Sequence, residues 1–200
     1  LLSADEIRPV MGDLEHPESY IKVLEDIEVV VQCAFERNSD TSVARDAKTI
    51  DAVLHAFSHS PLPRSFIYTS GIWAYGSRRD KMVDESMPLT PLDIVKWRPA
   101  HEEKVLKANS LNLRTVVIRP GFVYGGVEGL LPLMFDSAEE GAVRIVGEGH
   151  NRWPMVHVQD LAHAYVSSAE KEIGGIALNV VDDSTATVRE MAQAIARVAG

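Results

Sequence analysis

Residues 65–71 read Ser-Phe-Ile-Tyr-Thr-Ser-Gly, and residues 115–121 read Thr-Val-Val-Ile-Arg-Pro-Gly. Each stretch is a short run rich in β-branched and aromatic residues that ends in Ser, Gly or Pro. This is the pattern of a buried strand followed by a turn. Strands that are apolar on both faces are typical of a parallel sheet with helices on each side. The two stretches therefore predict an α/β fold.

The other periodic runs alternate between strand and helix patterns. Further strands are predicted at residues 7–11, 29–33, 143–146, 155–158 and 177–181. Helices are predicted at residues 17–26, 43–58, 94–109, 160–169 and 188–199, the last opened by a capping box of Thr187 and Glu190. Gly and Pro become denser near Gly125. We place a boundary there between two intertwined lobes, residues 1–125 and residues 126–200.

The chain has 200 residues, a net charge of −9 and a single cysteine, Cys33. The acidic balance argues against nucleic acid, whose phosphates attract clustered Lys and Arg, and against an anionic membrane surface. No apolar run reaches the roughly 18 residues that span a bilayer, and the first residues lack the segments of a signal peptide. The His residues show no metal-ligand spacing. We therefore expect a cytoplasmic protein with a small-molecule substrate, no metal, and no nucleic-acid or membrane partner.

Small or polar residues follow four of the predicted strands at their carboxyl ends. These residues are Gly12-Asp13-Leu14, Cys33-Ala34-Phe35, Thr69-Ser70-Gly71 and Pro120-Gly121. In an open parallel sheet, ligands bind in the crevice outside those ends. We therefore expect Asp13, Ala34, Ser70 and Gly121 to line one ligand-binding groove. The alternative is that Gly and Pro simply end the strands.

Three motifs point to a known family. Residues 66–76 read F-I-Y-T-S-G-I-W-A-Y-G, residues 117–125 read V-I-R-P-G-F-V-Y-G, and residues 156–162 read V-H-V-Q-D-L-A. They resemble the F-V-Y-x-S-S-x-x-V-Y-G, R-P-x-x-V-Y-G and H-V-x-D-L-A segments of the extended short-chain dehydrogenase/reductase family, which includes NAD-dependent epimerases and dehydratases. Each motif is weak alone, whereas their combination and order are specific.

The resemblance implies a Rossmann-like doubly wound parallel sheet, an NAD or NADP cofactor, and a small carbonyl, alcohol or sugar-nucleotide substrate. It also implies that the groove is shaped for a dinucleotide, that residues 1–125 are a partial dinucleotide-binding domain, and that residues 126–200 are part of a substrate lobe intertwined with it. Asp13 and Leu14 would touch adenine, and the loop around Arg152 and Trp153 would face the substrate. The rest of the cofactor would contact residues at the carboxyl ends of the other three strands, and Val123 shortly after the last of them. These residues are Cys33, Ala34, Phe35, Thr69, Ser70, Gly71, Pro120, Gly121 and Val123.

The sequence departs from this family in its phosphate-binding turn. The family's Gly-rich turn follows its first strand and places backbone N–H groups at the pyrophosphate. It does not occur here, so we expect a fold that lacks the first βαβ unit. In strand order 3-2-1-4-5-6, its loss would leave a gap of roughly 14 Å between residues 7–11 and 29–33. We therefore expect the chain to be a fragment or a truncated gene product.

The sequence also departs from the family at its catalytic positions. Gly71 stands where the family has Ser or Thr. The Y-x-x-x-K motif is replaced by Ile94 with Arg98, or by Ala100 with Lys104, so the proton-transferring Tyr is lost in either alignment. The substitutes we consider are Arg98 as a fixed charge, and Tyr75 and His101 as proton donors. The alternatives are that Tyr75 packs in the core and that His101 is an exposed helix residue.

Three functions follow from these observations. The first is an NAD(P)-dependent oxidoreductase or epimerase-like enzyme with a modified proton donor. The second is a nucleotide-binding protein without turnover, such as a redox sensor or interaction module. The third is a truncated product that binds nothing well. If the protein forms a homodimer, we expect the predicted helices at 43–58 and 94–109 to form its interface.

Overall fold

The computed structural model describes residues 6–35, 41–78, 81–126, 130–145 and 147–199. The strands in these ranges are β1 (Val29–Gln32), β2 (Arg64–Thr69), β3 (Leu113–Pro120), β4 (Phe122–Tyr124), β5 (Met155–His157) and β6 (Ile176–Val180). Four of them form a parallel sheet in the order β1-β2-β3-β6, and β4 pairs with β5 in a second parallel sheet. The predicted α/β class with a parallel sheet is confirmed.

Helices cover both faces of the main sheet. They are α1 (Ser42–Ser58), α2 (Arg98–Lys107), α3 (Leu130–Glu139), α4 (Val158–Glu170) and α5 (Val188–Ala199). Successive side chains of a strand point to opposite faces, so Phe66 and Tyr68 pack with α1 and α2. Ile67, between them, packs with Leu161 of α4. Burial on both faces explains why β2 and β3 are continuous apolar runs.

The strand predicted at residues 7–11 is wrong. The structure gives these residues no regular structure, and Ile7, Val10 and Met11 are 54%, 48% and 92% exposed. Pro9 lies within the run and has no N–H to donate to a neighbouring strand. In the described ranges β1 pairs with β2 on one side only.

Several other predicted elements differ in extent or kind. Residues 17–26 form two short 3-10 helices, and the helix predicted at 94–109 is a 3-10 turn at 93–95 followed by α2. Residues 143–145 of the strand predicted at 143–146 have no regular structure, and residue 146 lies outside the described residues. Neither β4 nor α3 is predicted from the sequence.

The N-termini of α4 and α5 are capped by side chains. Thr187 and Glu190 form the predicted capping box, in which each side chain accepts the other's backbone N–H. The Nδ1 of His157 caps α4 by accepting from Gln159 N. In the described part of the chain, no helix is both long and apolar enough to cross a membrane. The domain boundary near Gly125 stays a prediction.

Candidate active site

The candidate site lies where β1, β2 and β3 end, because parallel neighbours end at the same edge of the sheet. The Cys33 thiol after β1 lies 3.3 Å from the Thr69 hydroxyl at the end of β2. Ser70 N donates to Ile118 O of β3, and Gly121 N donates to Val180 O of β6. The residues predicted to follow these three strands therefore lie along one edge.

Asp13 does not follow a strand, which corrects one part of the predicted groove. Asp13 pairs with His16 in an isolated bridge, and its carboxylate accepts from Glu15 N. The turn is tied to α1 because Arg45 Nε donates to the Glu15 carboxylate at 2.9 Å. Leu14 lies in this same turn. That Asp13 and Leu14 contact adenine stays a prediction.

Arg98 opens α2 and reaches the end of β2. Its Nη1 donates to Thr69 O at 2.7 Å. Its guanidinium carbon lies 4.5 Å from the centre of the Trp97 ring and 5.2 Å from that of Phe35, and these two rings stack 5.6 Å apart. Cation–π contacts of this kind hold a guanidinium in place, and an arginine stays charged at any physiological pH. The edge of β2 therefore carries a fixed positive charge.

His101 is largely buried one turn further along α2, so the alternative of an exposed helix residue is wrong. Its side chain is 13% exposed, and its Nδ1 lies 2.7 Å from Asp46 Oδ2. The Asp46 carboxylate also accepts from Tyr68 OH at 2.6 Å and from Gln32 Nε2 at 2.9 Å. Because a carboxylate only accepts, Nδ1 carries the proton and Nε2 is the nitrogen left to exchange one.

Tyr75 lies inside the protein at 1% exposure. Its hydroxyl accepts from Arg119 Nη1 at 2.6 Å and donates to Asn179 Oδ1 at 3.1 Å. Burial alone would lower the pKa of the Arg119 guanidinium, but its hydrogen bonds and the charge of Glu102 raise the pKa above its usual value. These contacts support packing and positioning by Tyr75, and its role as an acid stays a prediction.

Glu102 is a buried charge that the sequence analysis did not find. It is 1% exposed, and its Oε2 accepts from Arg119 Nε at 3.0 Å and Nη2 at 2.6 Å. Its Oε1 accepts from the hydroxyl of Ser70. The Ser70 hydroxyl is thereby committed to Glu102 and is not free to replace the family's Ser, whose position Gly71 occupies. Charged helix residues usually face solvent, so the sequence carried no signal for this network.

Tyr165 of α4 is a second residue that the sequence analysis missed. Its hydroxyl lies 2.8 Å from the Thr69 hydroxyl, on the face of the sheet opposite α1 and α2. Burial raises the pKa of Tyr165, so its hydroxyl keeps its proton at neutral pH. Cys33, Thr69 and Tyr165 therefore form a short chain of polar groups beneath the ends of β1 and β2.

Beyond β3, an aromatic pair follows the strand end. Phe122 stacks on Trp153 with ring centres 4.9 Å apart and planes 24° from parallel. Phe122 N donates to Pro154 O at 2.7 Å, and a Cβ added at Gly121 would lie 2.6 Å from the same oxygen. Glycine is therefore required at 121 for the two segments to approach. Val123, the next residue, is 37% exposed.

The residues at this edge fit the nicotinamide and ribose half of a dinucleotide. A Cβ added at Gly71 would meet no atom within 4 Å, so space is open over the end of β2. Cys33 and Phe35 are exposed beside it, and Arg98 supplies a cation. None of the described ranges supplies the Gly-rich turn that would hold a pyrophosphate. The described residues also contain no cluster of three His, Cys, Asp or Glu that could hold a metal.

A parallel sheet with helices on both faces and an open edge at its carboxyl ends defines a Rossmann-like α/β fold. The model of the NAD dependent epimerase/dehydratase family matches residues 2–180. The chain therefore belongs to that family, as the sequence motifs implied.

Among curated relatives, the chain is 27% identical over 191 residues to 4-hydroxy-2-methyl-3-oxo-4-farnesyl-3,4-dihydroquinoline-1-oxide ketoreductase of Stigmatella aurantiaca, covering 91% of this chain and 57% of the relative. Among solved structures, dTDP-glucose 4,6-dehydratase of Bacillus anthracis in complex with NAD has a TM-score of 0.81 at 23% identity, covering 94% of this chain and 62% of the other. Human epimerase family protein SDR39U1 with NADPH has a TM-score of 0.74 at 24% identity, covering 90% and 67%.

The structural similarities establish the fold and extend over nearly the whole chain. The chain itself spans 64% and 57% of the length of the first two curated relatives it matches.

Proposed function

We propose that this protein is an NAD(P)-dependent oxidoreductase that acts on a small carbonyl or alcohol compound, with Arg98 in place of the family's catalytic Lys. One observation carries the proposal: the Arg98 guanidinium is bonded to Thr69 O beside the open space at Gly71. The Stigmatella relative is named a ketoreductase, which favours carbonyl reduction over the sugar-nucleotide chemistry of the structural neighbours.

The nicotinamide, when bound, would supply or accept a hydride. Cys33, Ala34 and Phe35 after β1 and Thr69, Ser70 and Gly71 after β2 would line it, with Pro120, Gly121 and Val123 at its far end. The fixed charge of Arg98 would hold a ribose hydroxyl or stabilise negative charge that develops on the substrate oxygen. The stacked rings of Phe35 and Trp97 would exclude water from that charge.

We propose His101 as the group that exchanges the proton. Asp46 fixes the imidazole with its proton on Nδ1 and leaves Nε2 for transfer. His101 lies one helical turn from Arg98, and its ring contacts Trp97 edge-on with centres 4.9 Å apart. A histidine suits this role because its ordinary pKa is near neutral.

A specific observation supports a second candidate, which is cofactor binding without turnover. The hydroxyls of Ser70 and Tyr75 are both bonded inside the protein, and Ile94, at the family's Tyr position, is 67% exposed. At the carboxyl-end edge of the sheet, no free hydroxyl of Ser70 or Tyr75 therefore takes the place of the family's Ser or Tyr. A binding protein would keep Arg98 and the open space at Gly71 and need no proton donor.

The test is a titration of the full-length protein with NADH and NADPH, followed by fluorescence, and then turnover on a panel of carbonyl compounds. We expect saturable binding of at least one cofactor and reduction of at least one ketone. Arg98→Ala should weaken cofactor binding, whereas Arg197→Ala, at an exposed site on α5, should not. Binding without turnover would leave the second candidate, and no binding would refute both.

We also propose a cytoplasmic location and a homodimer through α1 and α2. These helices lie side by side and are linked by an ion pair between Lys104 and Asp51. Sedimentation equilibrium of the full-length protein would test the homodimer, and a monomer across the micromolar range would refute it.

A further inference from the structure

The segments that follow β2 and β3 differ from ordinary surface loops in carrying no charge. Residues 70–76 and 120–124 contain no Asp, Glu, Lys or Arg. β2 and β3 are paired in parallel, with Thr69 opposite Ile118, so the two segments leave the sheet about 5 Å apart. They form the part of the edge that the proposed function assigns to the nicotinamide.

On the β3 side, the surface is an aromatic wall made of Phe122 and Trp153. The two rings stack at 4.9 Å, and neither is fully buried. The parallel register of Phe122 with Met155 and the hydrogen bond from Phe122 N to Pro154 O fix the two backbones that carry the rings. The two backbone segments that carry the wall are therefore fixed in the absence of a ligand.

On the β2 side, the surface is also apolar. Trp73 is 41% exposed in the 3-10 turn after β2, and the backbone of Leu92 is bonded to it. Leu92 and Ile94 in that neighbouring segment are 38% and 67% exposed. In the alignment that puts Arg98 at the family's Lys position, the place of the family's polar Tyr is thus taken by the exposed aliphatic side chain of Ile94.

We infer that the substrate is an apolar, ring-bearing ketone that stacks against the wall of Phe122 and Trp153. The inference rests on the proposed function and specifies its substrate class. A flat ring gains from stacking on an aromatic face that is already held in position. A sugar would instead place its hydroxyls against the apolar faces of these side chains, which offer them no hydrogen-bond partners.

The test uses the full-length protein with its cofactor and compares two probes, the bicyclic aryl ketone 1-tetralone and UDP-glucose. Calorimetry measures the Kd of the oxidised cofactor first and of each probe second; since the oxidised cofactor has no hydride to give to the ketone, the readout does not depend on turnover. Trp153→Ala should raise the Kd of 1-tetralone at least about tenfold, and Trp153→Phe only about twofold. The Kd of the cofactor should not change in either variant.

Phe135→Ala is the matched control, because Phe135 is an exposed aromatic on α3, 38% accessible and outside the wall. It should leave the Kd of 1-tetralone unchanged. Where Trp153→Ala fails to fold, as judged by circular dichroism, Phe122→Leu removes the same stacking and should raise the Kd in the same direction.

The outcomes separate the two claims. Loss of 1-tetralone binding in the wall variants, with intact cofactor binding, supports the inference. Tighter binding of UDP-glucose than of 1-tetralone, or an unchanged Kd in Trp153→Ala, overturns the inference and leaves the proposed oxidoreductase standing. Failure to bind either cofactor overturns the proposed function, and the inference with it.

Discussion

At the scale of single residues, substitution of Glu102 should have a large effect on the free energy of unfolding. Its carboxylate is 1% exposed and holds both Arg119 and Ser70. Removing one partner of a buried pair leaves the other charge without compensation and costs about 3–5 kcal/mol. We expect Glu102→Ala to lower the free energy of unfolding by about that amount in urea denaturation.

Glu103→Ala is the control for Glu102, because the neighbouring carboxylate is exposed on the same helix and pairs only with Lys107 among the contacts described. It should change the free energy of unfolding very little. Equal effects of the two substitutions would contradict the buried network.

Tyr75 gives a residue-scale prediction that separates positioning from proton transfer. Tyr75→Phe leaves Arg119 Nη1 and Asn179 Oδ1 without their shared partner, which costs about 1–3 kcal/mol of stability. If Tyr75 only positions, the pH profile of kcat should keep its shape. If the pH profile of kcat for Tyr75→Phe loses its acidic or basic limb, this would instead indicate that Tyr75 acts as a proton donor.

At the scale of elements, α5 provides a pH-dependent test. Hydrogen bonds from the backbone and hydroxyl of Thr187 hold the pKa of Glu190 below its usual value. A lowered pKa in the folded state adds stability above the ordinary pKa of the carboxyl, and this stability is lost as the pH falls through the lowered value. The wild type should therefore lose stability on acidification in part through this cap.

Glu190→Gln should reduce that acid dependence, because the amide does not titrate, and melting curves between pH 7 and pH 3 would measure it. Glu170→Gln, at the exposed end of α4, is the control and should leave the curve's shape unchanged. Identical pH dependence in wild type and Glu190→Gln would contradict the proposed contribution of the cap.

Strands and helices that produce a pattern within their own sequence could be predicted. Elements whose form depends on pairing with residues far away in the chain could not. β2 and β3 were predicted within about two residues because burial on both faces leaves a continuous apolar run. Residues 7–11 have a similar composition but no neighbouring strand in the described chain. β4 was missed because Gly121 and Gly125 at its ends are typical of a loop, whereas its strand form depends on pairing with β5.

At the scale of the whole molecule, motif order identified the family, but tertiary structure assembled the site. Arg98, Phe35 and Thr69 come together because β1 and β2 end, and α2 begins, at one edge. Asp46 and Glu102 lie on helices, where a charge ordinarily faces water, so their burial depends on the sheet beneath them. The candidate chemistry therefore rests on residues that a reading of motifs alone places on the surface.

A cofactor that crosses the ends of β1, β2 and β3 would contact three elements at once, and its binding should stabilise the whole fold. Ligand at a hundredfold excess over its Kd adds about 2.7 kcal/mol. This corresponds to a rise in Tm of roughly 5–10 °C for a protein of this size. We expect NADH or NADPH to produce such a rise in the full-length protein, measured by differential scanning calorimetry. Arg98→Ala should reduce the rise and Arg197→Ala should preserve it, since only Arg98 lies at the shared edge; an equal rise in both variants would remove Arg98 from the cofactor site.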